Sequence, residues 1–85
     1  MHENELVREF KRLLFIIFHA VEEGEPERVP EDVKKRLVEL ADKLFSDPWY
    51  RAMTRIVAET FDIEDRERVY WMIAHLLFVV DGIGH

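Results

Sequence analysis

The chain contains no cysteine, which excludes disulfides, thiolate chemistry and cysteine-ligated zinc together. Uncharged polar residues are almost as scarce: Asn4, Ser46, Thr54 and Thr60 are the only Ser, Thr, Asn or Gln present. Hydroxyl nucleophiles are thus confined to Ser46, Thr54 and Thr60, and Ser46 sits in a turn. Glycine occurs only at Gly24, Gly82 and Gly84, each after a predicted helix end, which leaves no glycine-rich loop to cradle a phosphate. The longest uncharged runs, Leu13 to Val21 and Val69 to Val80, fall short of the ~20 residues a membrane span needs. The opening MHENELVREF carries charge where the apolar region of a signal peptide would sit, so a soluble, cytoplasmic protein is expected. Twelve basic residues against eighteen acidic ones give a net charge of -6, and no basic cluster exceeds Lys34-Lys35-Arg36. Binding to a phosphate backbone is disfavoured, and neither a nucleic-acid nor a membrane partner is expected.

What the chain does have is apolar residues at helical spacing, in 85 positions that suffice for one domain with a modest core. The pattern predicts an all-α, compact four-helix domain with short connections, its helices at about 4–23, 30–45, 48–60 and 63–81. Asn4 is placed to cap the first helix, which Gly24 and Glu25-Pro26 close. Leu6, Phe10, Leu13, Leu14, Ile17 and Val21 form its apolar face. Pro30 takes the first position of the second helix, with Glu31 and Asp32 complementing the macrodipole. Val33, Leu37, Leu40, Ala41 and Leu44 line its inner face. Glu31 with Lys35, Asp32 with Arg36, and Glu39 with Lys43 are spaced for ion pairs along the outer one.

Asp47 caps the third helix with Pro48 at its first position, and Trp49, Met53, Ile56, Val57 and Thr60 are read as its inward side. Asp62, with Asp65 three residues on, is read as the cap of the fourth helix, which ends at Gly82. That helix contains the run VYWMIAHLLFVV, twelve residues without a formal charge unless His75 is protonated. A helix apolar on every side must be covered on every side.

In the first and fourth helices the apolar residues spill out of the core sector. Phe15 and His19 fall among Arg8, Lys11 and Arg12, with Ile16 at their edge, and Trp71, His75 and Phe78 fall opposite Val69, Met72, Ile73, Leu76 and Val80. A contiguous exposed patch of this kind marks an interaction site. Phe15, Ile16, His19, Trp71, His75 and Phe78 are therefore the candidate interface or binding residues. A two-fold axis would let such a patch bury itself, giving a homodimer, and a helical protein partner is the other occupant considered. Two alternatives stay open: the first and fourth helices form a central layer covered by the other two, or a groove between them takes a helical peptide or a small apolar ligand.

His19 and His75 are the only candidates for chemistry, as a pH-sensitive pair or as metal ligands. The four-helix di-iron pattern requires Glu three residues before His, where this chain has Ile16 and Met72, and Asp81 with His85 forms only a terminal pair. No metal site, cofactor or catalytic residue is assigned, and no enzymatic activity is expected.

Pro30 and Asp47-Pro48 opening helices, Gly24 and Gly82 closing them, Glu/Lys/Arg-rich outer faces and the shortage of Ser, Thr, Asn and Gln together carry a resemblance. Over its whole length the chain resembles a computationally designed or heavily redesigned helical bundle, and no natural family is matched. The resemblance implies an idealised fold without a natural function, in which the outward aromatic residues and histidines mark an intended interface.

Overall fold

A computed structural model describes residues 2–59 and 65–83, the side chains of 2 and 3 excepted. Four helices are present: α1 (His2–Glu22), α2 (Glu31–Leu44), α3 (Pro48–Glu59) and α4 (Arg66–Ile83), with no strand among the described residues. Roles read for Thr60, Asp62, Gly84 and His85 fall outside the described residues.

Each helix packs on its neighbours in sequence, and α4 closes the ring on α1. The rings of Phe10 in α1 and Phe45 beyond the end of α2 meet edge to face at 5.5 Å. Arg55 of α3 reaches back to Asp42 of α2, at 3.4 Å, and Tyr50 stacks on His75 of α4. Between α4 and α1, Tyr70 meets Phe18, and Asp81 meets Lys11. Early Tyr70 of α4 thus faces late Phe18 of α1 while late Asp81 faces the earlier Lys11, so these two helices run antiparallel. The 36 Å long axis matches α1, whose 21 residues rise about 32 Å. Direct packing of α2 on α3 rules out the layered alternative, which would have held them on opposite sides of the molecule.

The core consists of Val7, Phe10, Leu14, Ile17, Ala20 and Val21 from α1, Leu37, Leu40 and Ala41 from α2, Val57 and Ala58 from α3, and Val69, Ile73, Leu76 and Val80 from α4, joined by Val29 and Phe45 from the connections. Thr54 is buried with them; its hydroxyl donates to the Tyr50 carbonyl at 2.9 Å, and no described buried side-chain N or O lacks a partner.

Several helix ends differ from the sequence expectation. Asn4 does not cap α1, which starts two residues earlier; an exposed Asn inside a helix costs under about 0.7 kcal/mol, too little to stop it. Pro30 is the cap rather than the first helical residue, its carbonyl accepting from the amides of Val33 and Lys34. Gly82 lies inside α4, which continues to Ile83, a residue packed against the core. Gly24 does close α1, in the left-handed conformation at φ 74°: its amide donates to the Val21 carbonyl and the Glu25 amide to that of Ala20, the paired bonds of a Schellman motif. Pro26–Arg28 then form a single 3-10 turn. Asp47 caps α3 as expected, accepting from the Trp49 amide at 2.9 Å. The Arg51 side chain bends back so that its Nε donates to the Phe45 carbonyl and satisfies the end of α2.

The largest departure is the rotation of α3. Its inward row is Tyr50, Thr54, Val57 and Ala58, while Trp49 stands 66% exposed and Ile56 is exposed as well. Trp49 and Ile56 therefore do not face the core. Small Thr54 and Ala58 let the backbone approach its neighbours, and the Tyr50 ring fills the gap between Phe45 at 5.5 Å and His75 at 5.8 Å. Hydrophobic bulk alone misidentifies the inner side of such a helix.

On α2, Arg36 leaves the expected Asp32 and makes a two-pronged pair with Glu9 of α1, at 2.7 and 3.1 Å, with Glu39 at 3.4 Å. The forked geometry favours a carboxylate presented edge-on across the helix contact. Hydrogen bonding from Arg36, opposed by partial burial, holds the Glu9 carboxyl below its ordinary value of 4.5.

Two predictions follow from this packing. Leu14→Ala should lower the unfolding free energy by about 2–5 kcal/mol, whereas Ile16→Ala, exposed two residues on, should cost under about 1 kcal/mol. Equal losses in urea titrations would contradict the facing of α1. A depressed carboxyl stabilises the fold above its unfolded pKa, and that stability is lost as pH falls through the lower folded value. Wild type should therefore lose stability more steeply than Glu9→Gln below about pH 4.5, the ordinary value. Parallel acid limbs would contradict the pair.

Candidate interaction surface

α4 has four sides and only two helical neighbours. Val69, Ile73, Leu76 and Val80 point into the core. On one flank Tyr70 turns to α1, its ring 5.1 Å from Phe18, and Asp81 pairs with Lys11. On the other flank His75 stacks on Tyr50 of α3 with the ring planes 30° apart. The remaining side holds Glu67, Trp71, Ala74 and Phe78, all exposed, Trp71 to 72% and Phe78 to 81%.

The exposed side continues across both neighbours. On α3 the outward row Trp49, Met53 and Ile56 has the same i, i+4, i+7 spacing as Trp71, His75 and Phe78 on α4. The two rows border an open groove of about 400 Å³ lined by Met53, Trp71, Met72, Ala74 and His75. The apolar groove beside Trp71 therefore opens toward α3. A shallower hollow around Glu67, Tyr70, Trp71 and Ala74 lies on the opposite flank. On α1, Phe15 is 46% and Ile16 38% exposed. The Phe18–Tyr70 and Lys11–Asp81 contacts set the register of the two helices, which brings Phe15 level with the Ala74–Phe78 stretch of α4.

All six residues singled out from the sequence are thus at the surface, but they do not form one cluster. Phe15, Ile16 and His19 sit on α1, while Trp71, His75 and Phe78 sit on α4 and turn partly toward α3. The two imidazoles have different neighbours. His19 lies against Phe18, with Nδ1 3.9 Å from the Glu22 carboxylate, and His75 lies against Tyr50. Among the described residues no group of three or more His, Asp or Glu is placed to hold a metal ion.

Trp49, Met53, Ile56 and Ala74 belong to this surface and were not singled out from the sequence. The matching spacing of the α3 and α4 rows was the available signal. It was masked by the assumption that the bulkier side of α3 faces inward.

Charge frames the apolar area. Asp65, Arg66, Glu67 and Arg68 cluster at the start of α4, with Arg68 3.6 Å from Asp65, and Asp81 stands near its end, neutralised by Lys11. No described helix is long and apolar enough to cross a membrane. No protein-family model, curated protein or solved structure matches the chain.

Proposed function

We propose that this chain is a non-enzymatic association module, a four-helix bundle that pairs with a second copy of itself through the outer side of α4, rimmed by Phe15 of α1 and Trp49 of α3. The observation that carries the reading is the exposure of Trp71 and Phe78 on a helix whose other sides are covered. Trp49, Ile56, Trp71 and Phe78 together present roughly 500 Å² of side-chain surface, more than half of the ~800 Å² that each partner contributes to an interface of standard size. Aromatic anchors of this kind carry most of the binding energy in protein interfaces. The net charge of -6 turns the molecule away from nucleic acid and from anionic lipid.

An origin by computational design or redesign belongs to the same reading. It is supported by the Asp47-Pro48 start of α3, the Gly24 end of α1 and the nearly all-charged polar surface. A natural homologue carrying the same Trp71, Ala74 and Phe78 would overturn that origin and leave the interface reading intact. A second reading is favoured by the groove between α3 and α4: Met53 and Met72 beside Trp71 offer an adaptable apolar slot for a helical peptide or small apolar ligand.

The test is mass in solution across a dilution series. Wild type should reach twice the chain mass of 10.2 kDa. Trp71→Ala and Phe78→Ala should each weaken pairing about 30-fold or more, corresponding to about 2 kcal/mol, without loss of helical circular dichroism. Lys35→Ala, on exposed α2, should leave pairing unchanged. A monomer at every concentration up to about 1 mM, equivalent to an association free energy weaker than about 4 kcal/mol, would contradict the self-association reading. Binding of an apolar dye by that monomer would then support the groove.

A further inference from the structure

Along the outer side of α4, Glu67, Trp71, Ala74, Phe78 and Asp81 follow at alternating steps of four and three residues, the spacing of a coiled-coil seam. All five are exposed. Half-buried Tyr70 and Leu77 bound the stripe toward α1, and half-buried Met72 and Val79 bound it toward α3. The smallest side chain, Ala74, stands at the middle. One large aromatic residue stands on either side of it, three residues before and four after, and a carboxylate lies at each end.

We propose that the second copy docks with its α4 antiparallel to the first, the two-fold axis crossing at Ala74. This rests on the self-association reading above and adds its geometry. Ala74 lets the two backbones approach, and Trp71 of each copy packs beside Phe78 of the other. A parallel pair would instead set Trp71 on Trp71 and Phe78 on Phe78, leaving a gap at Ala74 between two bulky layers.

Electrostatics select the same direction. Antiparallel docking places α4 helix ends of opposite partial charge together. Parallel docking would set like ends of the two helices side by side. In the antiparallel register Glu67 approaches Asp81. Lys11, already bound to Asp81, offsets that contact.

The absence of native cysteine makes the geometry directly readable, because one introduced thiol reports only on its own symmetry mate. At an interaxial distance of about 8–10 Å, with Cα atoms about 2.3 Å from each helix axis, the two Ala74 Cα atoms stand roughly 3.5–5.5 Å apart, which at the wider spacings is within reach of a disulfide. The two copies of Glu67 would lie about 20 Å apart in an antiparallel pair but face each other in a parallel one. Oxidation of Ala74→Cys with oxidised glutathione should therefore convert most of the protein to a covalent dimer. Glu67→Cys, and Ala52→Cys on exposed α3, should remain single chains on a non-reducing gel.

The mass of each reduced variant in solution is measured alongside. Efficient linkage through Glu67→Cys would overturn the antiparallel direction. A variant that is dimeric by mass but unlinked through Ala74→Cys would overturn the position of the axis, and in either case self-association stands. A monomer by both measurements would overturn the geometry and the self-association reading together.

Discussion

An α-helix that is apolar around its whole circumference has to be covered around its whole circumference, and α4 has neighbours on two sides only. The core takes Val69, Ile73, Leu76 and Val80, α1 takes Tyr70, and α3 takes His75. Among the described residues none covers Trp71 and Phe78, because α2, the fourth element, is occupied with α1 and α3. The square arrangement that buries the core so completely is the same arrangement that leaves one side of its most apolar helix in water. Leaving two large aromatic residues exposed forgoes roughly 1.5–3 kcal/mol apiece, and a second copy of the chain would recover it.

The rest of the surface is organised to keep that one side distinct. α2 is amphipathic in the ordinary way, and its charges tie it to neighbouring helices: Arg36 to Glu9, Arg55 to Asp42. The interhelical pair between Lys11 and Asp81 holds α4 on α1 and also removes the one unbalanced charge at the end of the apolar stripe. The ends of α1 and α2 and the start of α3 are closed locally, by Gly24, by the Arg51 side chain on the Phe45 carbonyl and by Asp47.

The helices, their order and most of the core were legible because two signals agreed: apolar residues at i, i+3 and i+4, and punctuation by Pro, Gly and Asp. Leu14, Ile17, Leu37, Leu40, Ile73 and Leu76 are fully buried for that reason. Where only bulk spoke, the reading failed. Trp49 and Ile56 outweigh Thr54 and Ala58 on any hydrophobic scale, yet the small residues face inward because close backbone approach and a satisfied Thr54 hydroxyl are compatible with tight packing. Pairings across helices, such as Arg36 with Glu9 rather than Asp32, depend on the helix arrangement in space and leave no local trace. On the surface, exposure of Phe15, Trp71 and Phe78 was legible from their position among charges. The share taken by α3 was not, because it depends on the rotation of that helix.

Trp49 and Trp71 are the only tryptophans in the chain, and both stand on the surface proposed to pair. Their emission spectrum as a function of protein concentration tests that proposal most directly. Indoles exposed in the single chain and buried on pairing predict a solvated, long-wavelength spectrum at high dilution that moves to shorter wavelength as concentration rises, in step with the measured mass. A long-wavelength spectrum that does not change while the mass doubles would mean that copies associate elsewhere and that the outer side of α4 is not the interface.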